Sequence, residues 1–368
     1  MMVAICFILI VFGKDSTFFP FEKEKGQKVW KCKGKCVHLQ WNMTLEAFLE
    51  EWNNASDYVR VQTSGSTGAP KPMLVEKRRM LNSARITCDF LGLKPGDTAL
   101  LCMSLDYIAG KMMVVRSLER GLRLFTVEPS GHPLASTILH SPFSIVAMVP
   151  MQVYNSLQVP AEKERLRQIR HLIIGGGAID EAMAAELKDF PNAVWSTYGM
   201  TETLSHIALR RLNSPEASDW YTPFPSVKVS LNEDRCLVID APEVCPHPLV
   251  TNDIAELNSQ SLNISISQFR ILGRKDNVIC SGGIKIQAEE VERQLRPHLS
   301  APYLITRRPD PKFGEVVVLL TEGDTAAARQ VCERVLPKYH QPRAYVHVDR
   351  IPLTETGKPA RKQAERLV

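Results

Sequence analysis

The sequence lacks an apolar run long enough to cross a membrane. Its opening stretch, MMVAICFILIVFG, has about 12 apolar residues in a row, whereas a spanning helix needs ~20. A secretory signal would need a basic segment before this run and small residues at a cleavage site after it, and the sequence has neither. We therefore predict no membrane insertion, and interpret the run as a buried β-branched strand or a misplaced start codon.

The sequence also lacks a basic block and a zinc-binding cysteine pattern. Its 45 Lys and Arg and 40 Asp and Glu residues give a net charge of +5, and the basic residues are scattered, so binding to nucleic acid is not predicted. Of nine cysteines only Cys32 and Cys36 lie close together, without further cysteines or histidines at zinc spacing. The pattern is typical of reduced thiols in a cytoplasmic protein.

The 368 residues, 44% of them hydrophobic and 23% charged, are enough for two globular domains. Between about residues 58 and 200, short apolar runs alternate with longer helical patterns, which predicts an α/β fold with a mostly parallel sheet. Several of these runs end in a turn or a glycine-rich corner. Ligands of such sheets bind at the carboxyl ends of the strands, so we expect the site there.

After residue 224 the pattern changes. VKVSLNEDRCLVIDAP predicts a β-hairpin and therefore a β-rich appendage to the sheet domain. Further along, QAEEVERQLRPHL predicts a helix with Ala288, Val291 and Leu295 on one face. We predict a large domain over residues 1–273, a hinge over 274–276 and a small α+β domain over 277–368.

The string TSGSTGAPK has the residue types of a phosphate-binding loop. Such a loop needs glycines that let backbone N–H groups point inward, hydroxyl donors and a cation. All three are present, in Thr63, Ser64, Gly65, Ser66, Thr67, Gly68 and Lys71. The P-loop pattern GxxxxGK[ST] does not fit, because Ala69-Pro70 separates the last glycine from the lysine. A flexible Ser/Gly linker is the alternative, but the string follows a predicted strand and precedes a predicted helix.

This string resembles the phosphate loop of the adenylate-forming superfamily, which includes acyl-CoA synthetases, luciferases and peptide-synthetase adenylation domains. A second matching segment is STYGMTETLSH. The resemblance implies that Tyr198 stacks on the purine next to Gly199, that Thr201 binds phosphate and that Glu202 holds Mg²⁺, which prefers oxygen ligands. Without the family, Tyr198 would be interpreted as a core aromatic and Glu202 as a helix N-terminal carboxylate.

Two further segments match the nucleotide site of this superfamily. In LIIGGGAID the resemblance places the turn beside the adenine, formed by Gly175, Gly176 and Gly177. In LVTNDIAEL it implies that Asp253 accepts hydrogen bonds from both ribose hydroxyls, a suitable task for a carboxylate. The family usually has Thr-Gly-Asp here, and Asn252 replaces the glycine. Ordinary turns are the alternative for both segments.

The segment ILGRKDNVICSGGIKI matches the hinge of the superfamily. The resemblance implies that Arg274 reaches the ribose and that Asp276 is the pivot about which the small domain rotates. It also implies that Gly282 and Gly283 form a loop presented for thioester formation, with Lys285 as a contact to the phosphopantetheine or the substrate. An ordinary charged β-turn is the alternative.

The last match is IPLTETGKPARK, in which Lys358 is the catalytic lysine by resemblance. A cation is needed because a carboxylate must attack the α-phosphate of ATP, and the two anions repel each other. At 4 Å and an effective dielectric constant of 20, a bridging charge is worth about 4 kcal/mol. If that energy acts mainly in the transition state, it corresponds to a rate effect of roughly a thousandfold.

The resemblance as a whole implies an acid–thiol ligase that uses ATP, Mg²⁺ and coenzyme A, with Thr201, Glu202 and Lys358 as catalytic residues. The phosphate loop begins at Thr63, earlier than in most members, so we expect a truncated N-terminal region. Within the superfamily, the runs around TCDFLGLKPGD and YGMTETLSHIALR are most similar to bacterial o-succinylbenzoate–CoA ligases of menaquinone synthesis. The expected partners are therefore small molecules, namely the carboxylic acid, ATP and CoA, and a homodimer is expected.

Several alternatives stay open at this point. The acid could be another aryl or acyl acid, and a carrier protein could replace CoA. A P-loop-type kinase or ATPase would make Lys358 irrelevant. A non-catalytic nucleotide sensor would bind ATP, but no acid would trigger pyrophosphate release. His206 is a candidate contact in the acyl pocket, although a lone histidine is more often structural.

Overall fold

The computed structural model describes residues 43–62, 72–135, 142–177, 179, 181–213, 215–258, 267–354 and 359–368, together with the backbone of four two-residue strands between positions 23 and 36. The helices are α1 (Leu45–Asn53), α2 (Lys77–Phe90), α3 (Ile108–Arg120), α4 (Pro150–Gln158), α5 (Pro160–Gln168), α6 (Glu181–Leu187), α7 (Ala288–Leu295), α8 (Thr325–Val335) and α9 (Arg361–Ala364).

The strands begin with β1 (Lys23–Glu24), β2 (Gln27–Lys28), β3 (Lys31–Cys32), β4 (Lys35–Cys36), β5 (Tyr58–Gln62), β6 (Pro72–Glu76), β7 (Thr98–Leu101), β8 (Arg123–Thr126), β9 (Ile145–Met148), β10 (His171–Ile174) and β11 (Ala193–Met200). They continue with β12 (Ser205–Arg211), β13 (Thr222–Pro223), β14 (Lys228–Leu231), β15 (Cys236–Asp240), β16 (Leu249–Asn258), β17 (Gln268–Arg274), β18 (Val278–Ser281), β19 (Ile284–Gln287), β20 (Tyr303–Asp310), β21 (Gly314–Thr321) and β22 (Ala344–His347).

A seven-stranded sheet in the order β13-β12-β11-β10-β9-β7-β8 forms the centre of the fold. The five strands from β11 to β8 run parallel, and β12 and β13 add an antiparallel edge. All residues of β7 and β9 are buried, as expected for parallel strands that helices cover on both faces. The predicted α/β fold with a mostly parallel sheet is confirmed.

Alternate residues of the central strands enter two different cores. Ala99 and Leu101 pack with residues of α2 and α3, whereas Leu100 and Cys102 pack with residues of α4, α5 and α6. Because successive strand residues point to opposite faces of a sheet, the two helix layers cover the two faces.

The predicted place of the phosphate loop needs a correction. We expected its leading strand to join a β-α unit of the parallel sheet. Instead, β5 pairs antiparallel with β6 in a separate two-stranded sheet, with Gln62 opposite Pro72, and α2 follows β6. The alternation of apolar and polar residues predicts a strand but does not specify its partner.

Two further sheets follow the central one. Strands β14-β15-β16-β17 form an antiparallel sheet, which confirms the predicted β-rich appendage. Strands β18 to β22 form a five-stranded sheet against α7 and α8, and the predicted helix face of Ala288, Val291 and Leu295 is fully buried there. The 3₁₀ turn Lys275–Asn277 connects the two sheets. The domain boundary at residues 274–276 stays a prediction.

Within the described part of the chain, no helix has the length and apolar character that a bilayer-spanning segment requires. The described thiols are free, at Cys88, Cys102, Cys236, Cys245, Cys280 and Cys332.

Candidate active site

The candidate site lies at the carboxyl edge of the central sheet, where three neighbouring parallel strands end. Strand β9 ends before Val149, β10 ends before the turn 175–177, and β11 ends before Thr201. A side chain at Gly175 would collide with Thr197, and Gly176 has a φ of +80°. The turn therefore requires glycine, and it leaves the backbone of Gly176 and Gly177 exposed at the predicted adenine site.

A tightly held turn presents the Thr-Glu pair. Thr201 and Glu202 lie in a 3₁₀ turn after β11, with Thr201 buried and Glu202 partly exposed. The two residues that follow this turn, Leu204 and Ser205, have φ of 58° and 123°, which is unusual for residues other than glycine. Hydrogen bonds from buried side chains stabilise them, from Ser83 Oγ to the carbonyl of Leu204 at 3.3 Å and from Thr203 Oγ1 to the carbonyl of Ser205 at 2.8 Å.

Gly199 is a steric requirement of the same turn. The pairing of β11 with β12 shifts register between Tyr198 and Gly199. A Cβ atom at Gly199 would collide with the carbonyl oxygen of Ser205. The bulge therefore brings the two strands together at this point and fixes the direction in which the Thr-Glu pair leaves the sheet.

Asp253 is the centre of a hydrogen-bonded cluster beside this edge. The Tyr198 hydroxyl donates to Asp253 Oδ2 at 2.7 Å, and Arg274 Nη1 donates to Asp253 Oδ1 at 3.0 Å. Arg274 Nη2 also donates to Asp276 Oδ2 at 3.1 Å, which Asn252 Nδ2 reaches at 3.3 Å. The sequence resemblance picks out four residues from three separate segments, Tyr198, Asp253, Arg274 and Asp276, and hydrogen bonds connect them in the structure. Asn252, which replaces the usual glycine, lies in β16 and orients Asp276.

The Tyr198 side chain is held by its ring as well as by its hydroxyl. Its ring meets Phe269 edge-to-face with centroids 5.1 Å apart, and Tyr221 lies 5.9 Å away. Burial, and secondarily the adjacent Asp253, raises the pKa of Tyr198. Its hydroxyl therefore remains a hydrogen-bond donor at neutral pH. Purine stacking by this ring stays a prediction.

His206 is buried and fully engaged with other side chains. Its Nε2 lies 3.0 Å from Thr87 Oγ1, and its Nδ1 lies 3.3 Å from Ser205 Oγ. Burial, followed by the nearby Arg116, holds the pKa of His206 well below its usual range. The residue is therefore neutral, and this geometry favours the structural alternative over a contact in the acyl pocket.

Arg116, in α3, is a buried cation that has no acidic partner among the described residues. It is 1% exposed, and its Nη2 donates to Ser205 Oγ at 3.0 Å. Among the residues that the structure describes, its Nε has no hydrogen-bond partner and no carboxylate forms an ion pair with it. Burial lowers the pKa of Arg116 to about 10, so it stays charged at neutral pH. Arg116 lies in none of the predicted motifs, and the signal that could have indicated it is a basic residue in the apolar helical run KMMVVR.

The family model of the AMP-binding enzymes matches residues 18–252. This chain belongs to the AMP-binding enzyme family. The resemblance found in the sequence is thereby confirmed.

Curated relatives of this AMP-binding enzyme include two proteins named 2-succinylbenzoate–CoA ligase. The one from Listeria monocytogenes serotype 4b is 25% identical over 345 residues, which cover 86% of this chain and 71% of the relative. The one from Geobacillus kaustophilus is 27% identical over 340 residues, which cover 83% of this chain and 68% of the relative.

Solved structures with the same fold include an acyl-CoA synthetase (AMP-forming)/AMP-acid ligase II-like protein from Dyadobacter fermentans. It is 32% identical with a TM-score of 0.58, over 87% of this chain and 91% of that chain. The o-succinylbenzoate CoA synthetase of Bacillus subtilis in complex with its acyl-adenylate intermediate is 22% identical. Its TM-score is 0.70, over 83% of this chain and 68% of that chain.

The predicted phosphate loop and catalytic lysine lie outside the described residues. They comprise Thr63, Ser64, Gly65, Ser66, Thr67, Gly68, Lys71 and Lys358. Leu353 and Pro359, which lie before and after the lysine segment in the sequence, form a β-bridge. The roles of the eight residues stay predictions.

The predicted thioester loop of this AMP-binding enzyme is a tight turn with cations nearby. Gly282 and Gly283 connect β18 and β19 with φ of 58° and 85°, and the Gly282 N–H donates to the carbonyl of Phe313 at 2.8 Å. Arg343 Cζ lies 3.8 Å and Lys312 Nζ lies 5.3 Å from the centroid of the Phe313 ring, so both cations contact this ring. Lys285, the cation predicted from the sequence, is exposed in β19, whereas Lys312 and Arg343 lie in no motif that predicts them.

Proposed function

We propose that this AMP-binding enzyme is an AMP-forming acid–CoA ligase and that its acid is o-succinylbenzoate. The observation that carries the ligase is the cluster of Tyr198, Asp253, Arg274 and Asp276 at the carboxyl edge of the sheet, next to the glycine turn and the Thr-Glu pair. The names of the curated relatives and the acyl-adenylate in the Bacillus subtilis structure support the choice of acid.

Arg116 supports an acid with two carboxylates. Activation of o-succinylbenzoate consumes its succinyl carboxylate and leaves the benzoate carboxylate as an anion. A buried arginine without a counter-ion is destabilising by several kcal/mol, and Arg116 has no acidic partner among the described residues. It contacts Ser205, three residues after Glu202. We assign the benzoate carboxylate to Arg116, which distinguishes this substrate from a monocarboxylic acid.

ATP is assigned to the edge of the sheet. Residues 63–71 would hold its phosphates, Gly175–Gly177 its adenine, and Asp253 with Arg274 its ribose. Mg²⁺ would be held by Glu202 and the phosphates, since Mg²⁺ often binds through one carboxylate plus phosphate oxygens; in the described ranges no group of three or more His, Cys, Asp or Glu side chains converges. The ion neutralises phosphate charge when bound.

The reaction then has two balanced steps. In the first, a succinyl carboxylate oxygen attacks the α-phosphorus, the bond to the pyrophosphate oxygen breaks, and Lys358 offsets the repulsion of the anions. In the second, the CoA sulfur attacks the acyl carbonyl carbon, loses its proton, and AMP leaves. The small domain turns about Asp276 between the steps and brings the Gly282–Gly283 turn to the acyl group.

The CoA phosphates are assigned to Lys312 and Arg343. Both are exposed, both contact the Phe313 ring, and neither forms an ion pair with a carboxylate in the described part of the chain. Two cations on one ring, with no ion pair to a described carboxylate, would make a site for phosphate groups beside the turn that would meet the CoA thiol. We place the enzyme in the cytoplasm with its small-molecule substrates, and a homodimer stays a prediction.

Pyrophosphate release and thioester formation test the proposal separately. The wild type should release pyrophosphate only with acid, and most rapidly with o-succinylbenzoate. Lys358→Ala should slow this step by about a thousandfold but leave thioester formation from preformed acyl-adenylate largely intact. Lys338→Ala, at an exposed lysine between α8 and β22, is the control and should change neither step.

Other outcomes would assign the protein to an alternative class. ATP consumption without acid that survives Lys358→Ala would indicate a kinase or ATPase. ATP binding without pyrophosphate release for any acid in a panel would indicate a non-catalytic protein. Equal loss of both steps in Lys358→Ala would contradict the role of this lysine.

A further inference from the structure

Gln152 is a buried amide whose hydrogen bonds all go to backbone groups at the edge of the sheet. It is the third residue of α4 and is 4% exposed. Its Oε1 accepts a hydrogen bond from the backbone N–H of Val149 at 3.1 Å. Its Nε2 donates to the carbonyls of Cys102 at 3.1 Å and Ser130 at 2.9 Å. The amide thus uses both donors and one acceptor, and nothing in the proposed chemistry accounts for it.

The three partners of Gln152 lie in the segments that follow three adjacent strands. Val149 directly follows β9, Cys102 directly follows β7, and Ser130 lies in the segment after β8. These strands are neighbours in the order β9-β7-β8. One side chain therefore ties the segments that follow these strands together. Its loss would leave the carbonyls of the buried Cys102 and the exposed Ser130, and the N–H of Val149, without this partner.

The segment that Gln152 fixes at Val149 supports the glycine turn. The N–H of Gly175 donates to the carbonyl of Met148 at 3.1 Å. A Cβ atom at Gly177 would lie 3.3 Å from Pro150 Cγ, and one at Gly176 would lie 3.5 Å from Val149 Cγ1. The turn thus lies so close to Val149 and Pro150 that an added Cβ atom would touch them, and a displacement of these two residues should displace the proposed adenine site.

The segment that Gln152 fixes at Cys102 supports the helix that carries Arg116. Cys102 leads into Ser104, and a Cβ atom at Gly110 in the first turn of α3 would collide with the Ser104 carbonyl. The helix therefore lies directly against the segment that Gln152 holds. Arg116 is further along the same helix.

We propose that Gln152 is a positioning residue for adenylation, because it sets the separation between the Gly175–Gly177 turn and α3. Under the proposed function, on which this inference rests, the adenosine lies at the turn and the acid at Arg116. The alignment of the carboxylate with the α-phosphorus then depends on this one amide. A misplacement of about 1 Å at such a distance from the chemistry can cost roughly a hundredfold in rate.

Gln152→Met tests the proposal with a side chain of similar length that cannot form these hydrogen bonds. Pyrophosphate release with o-succinylbenzoate should show kcat reduced by about ten- to a hundredfold, with a smaller rise in the KM of ATP and acid. The dissociation constant of ATP, measured by calorimetry without acid, should rise severalfold. Gln168→Met, at an exposed glutamine of α5, is the matched control and should leave all three unchanged.

Gln152→Glu adds a pH readout that a purely structural role would not produce. A carboxylate between two carbonyls is repelled, and its burial among acceptors raises the pKa of the introduced acid. The protonated acid can donate one hydrogen bond to a carbonyl, as the amide does. The activity of this variant relative to the wild type should therefore rise about fivefold or more as the pH falls from 8 to 6, whereas Gln168→Glu should show a flat ratio.

The outcomes separate this proposal from the proposed function. If the wild type is inactive with every acid, the proposed ligase is overturned. The ATP affinity of Gln152→Met relative to the wild type then shows whether Gln152 positions the nucleotide site. A lower melting temperature for Gln152→Met with unchanged kcat and unchanged ATP affinity would make the residue structural only. A flat pH ratio for Gln152→Glu would also overturn the positioning role.

Discussion

At the scale of single residues, Arg116 combines a stability cost with a proposed gain in substrate recognition. Its guanidinium is 1% exposed and has one described hydrogen bond, to Ser205. Replacement of buried charges by apolar residues of similar size is often neutral or stabilising. We therefore predict that Arg116→Met has an unchanged or higher melting temperature than the wild type. A purely structural arginine would give the opposite result.

The same variant should lose discrimination between acids. For o-succinylbenzoate, which carries the second carboxylate, the KM should rise at least tenfold, that is by about 1.4 kcal/mol or more. For 3-benzoylpropionate, which lacks that carboxylate, it should hardly change. Arg123→Met, at an exposed arginine in β8, serves as the control. A parallel rise of KM for both acids would remove Arg116 from substrate recognition.

Single residues also show where interpretation of the sequence ends. Tyr198, Asp253 and Arg274 are identifiable because each lies in a recognisable short motif, and the structure places them in contact. Arg116 and Gln152 have no motif. Their significance arises from partners that are 89 and 50 residues away in the chain, and such contacts are not visible in local periodicity.

At the scale of elements, the predicted hairpin contains a residue in a costly conformation. Strands β14 and β15 pair with Lys228 opposite Asp240, and the turn between them places Arg235 at a φ of 61°. A non-glycine residue in this region costs roughly 1 kcal/mol. Arg235 is exposed, so its side chain contributes little packing that would offset this cost.

Arg235→Gly should therefore stabilise the protein by about 0.5–1 kcal/mol, measured as the free energy of unfolding in urea, without a change in kcat. Ser230→Gly, at an exposed position inside β14, should be destabilising instead, because glycine weakens a strand interior. Destabilisation by both substitutions would show that the turn is held by contacts of the Arg235 side chain.

Elements with a strong period are predictable, and their partners are less so. The helix face of Ala288, Val291 and Leu295 and the hairpin of β14 and β15 follow from local patterns. The pairing of β5 with β6 does not, because an amphipathic strand fits a parallel or an antiparallel neighbour equally well. The position of the glycine turn at a strand end is predictable from the sequence, since parallel strands share one carboxyl edge.

At the scale of the whole molecule, the contacts of Arg274 connect the proposed nucleotide site with the predicted hinge. Its side chain bridges Asp253 and Asp276, and its backbone carbonyl accepts a hydrogen bond from Gln287 Nε2 at 3.0 Å. Gln287 ends β19, in the sheet that also contains the Gly282–Gly283 turn. If the small domain rotates about residue 276 as proposed, the bonds of Arg274 to Asp276 and Gln287 must be remade, and Arg274 is also bonded to Asp253. Occupancy of the proposed ribose site and the position of the small domain would then be linked.

The cations beside that turn give the last prediction, which concerns CoA. If Lys312 and Arg343 bind its phosphates, the double variant Lys312→Ala/Arg343→Ala should raise the KM of CoA at least about fivefold in the thioester step. The KM of pantetheine, which has the thiol but no phosphates, should not change, and pyrophosphate release should be unaffected. Arg329→Ala, which removes a cation stacked on Tyr345 in the same region, is the control. An equal rise for CoA and pantetheine would mean that the pair acts on the turn at Gly282 and not on phosphate, because only CoA presents negative charge to it.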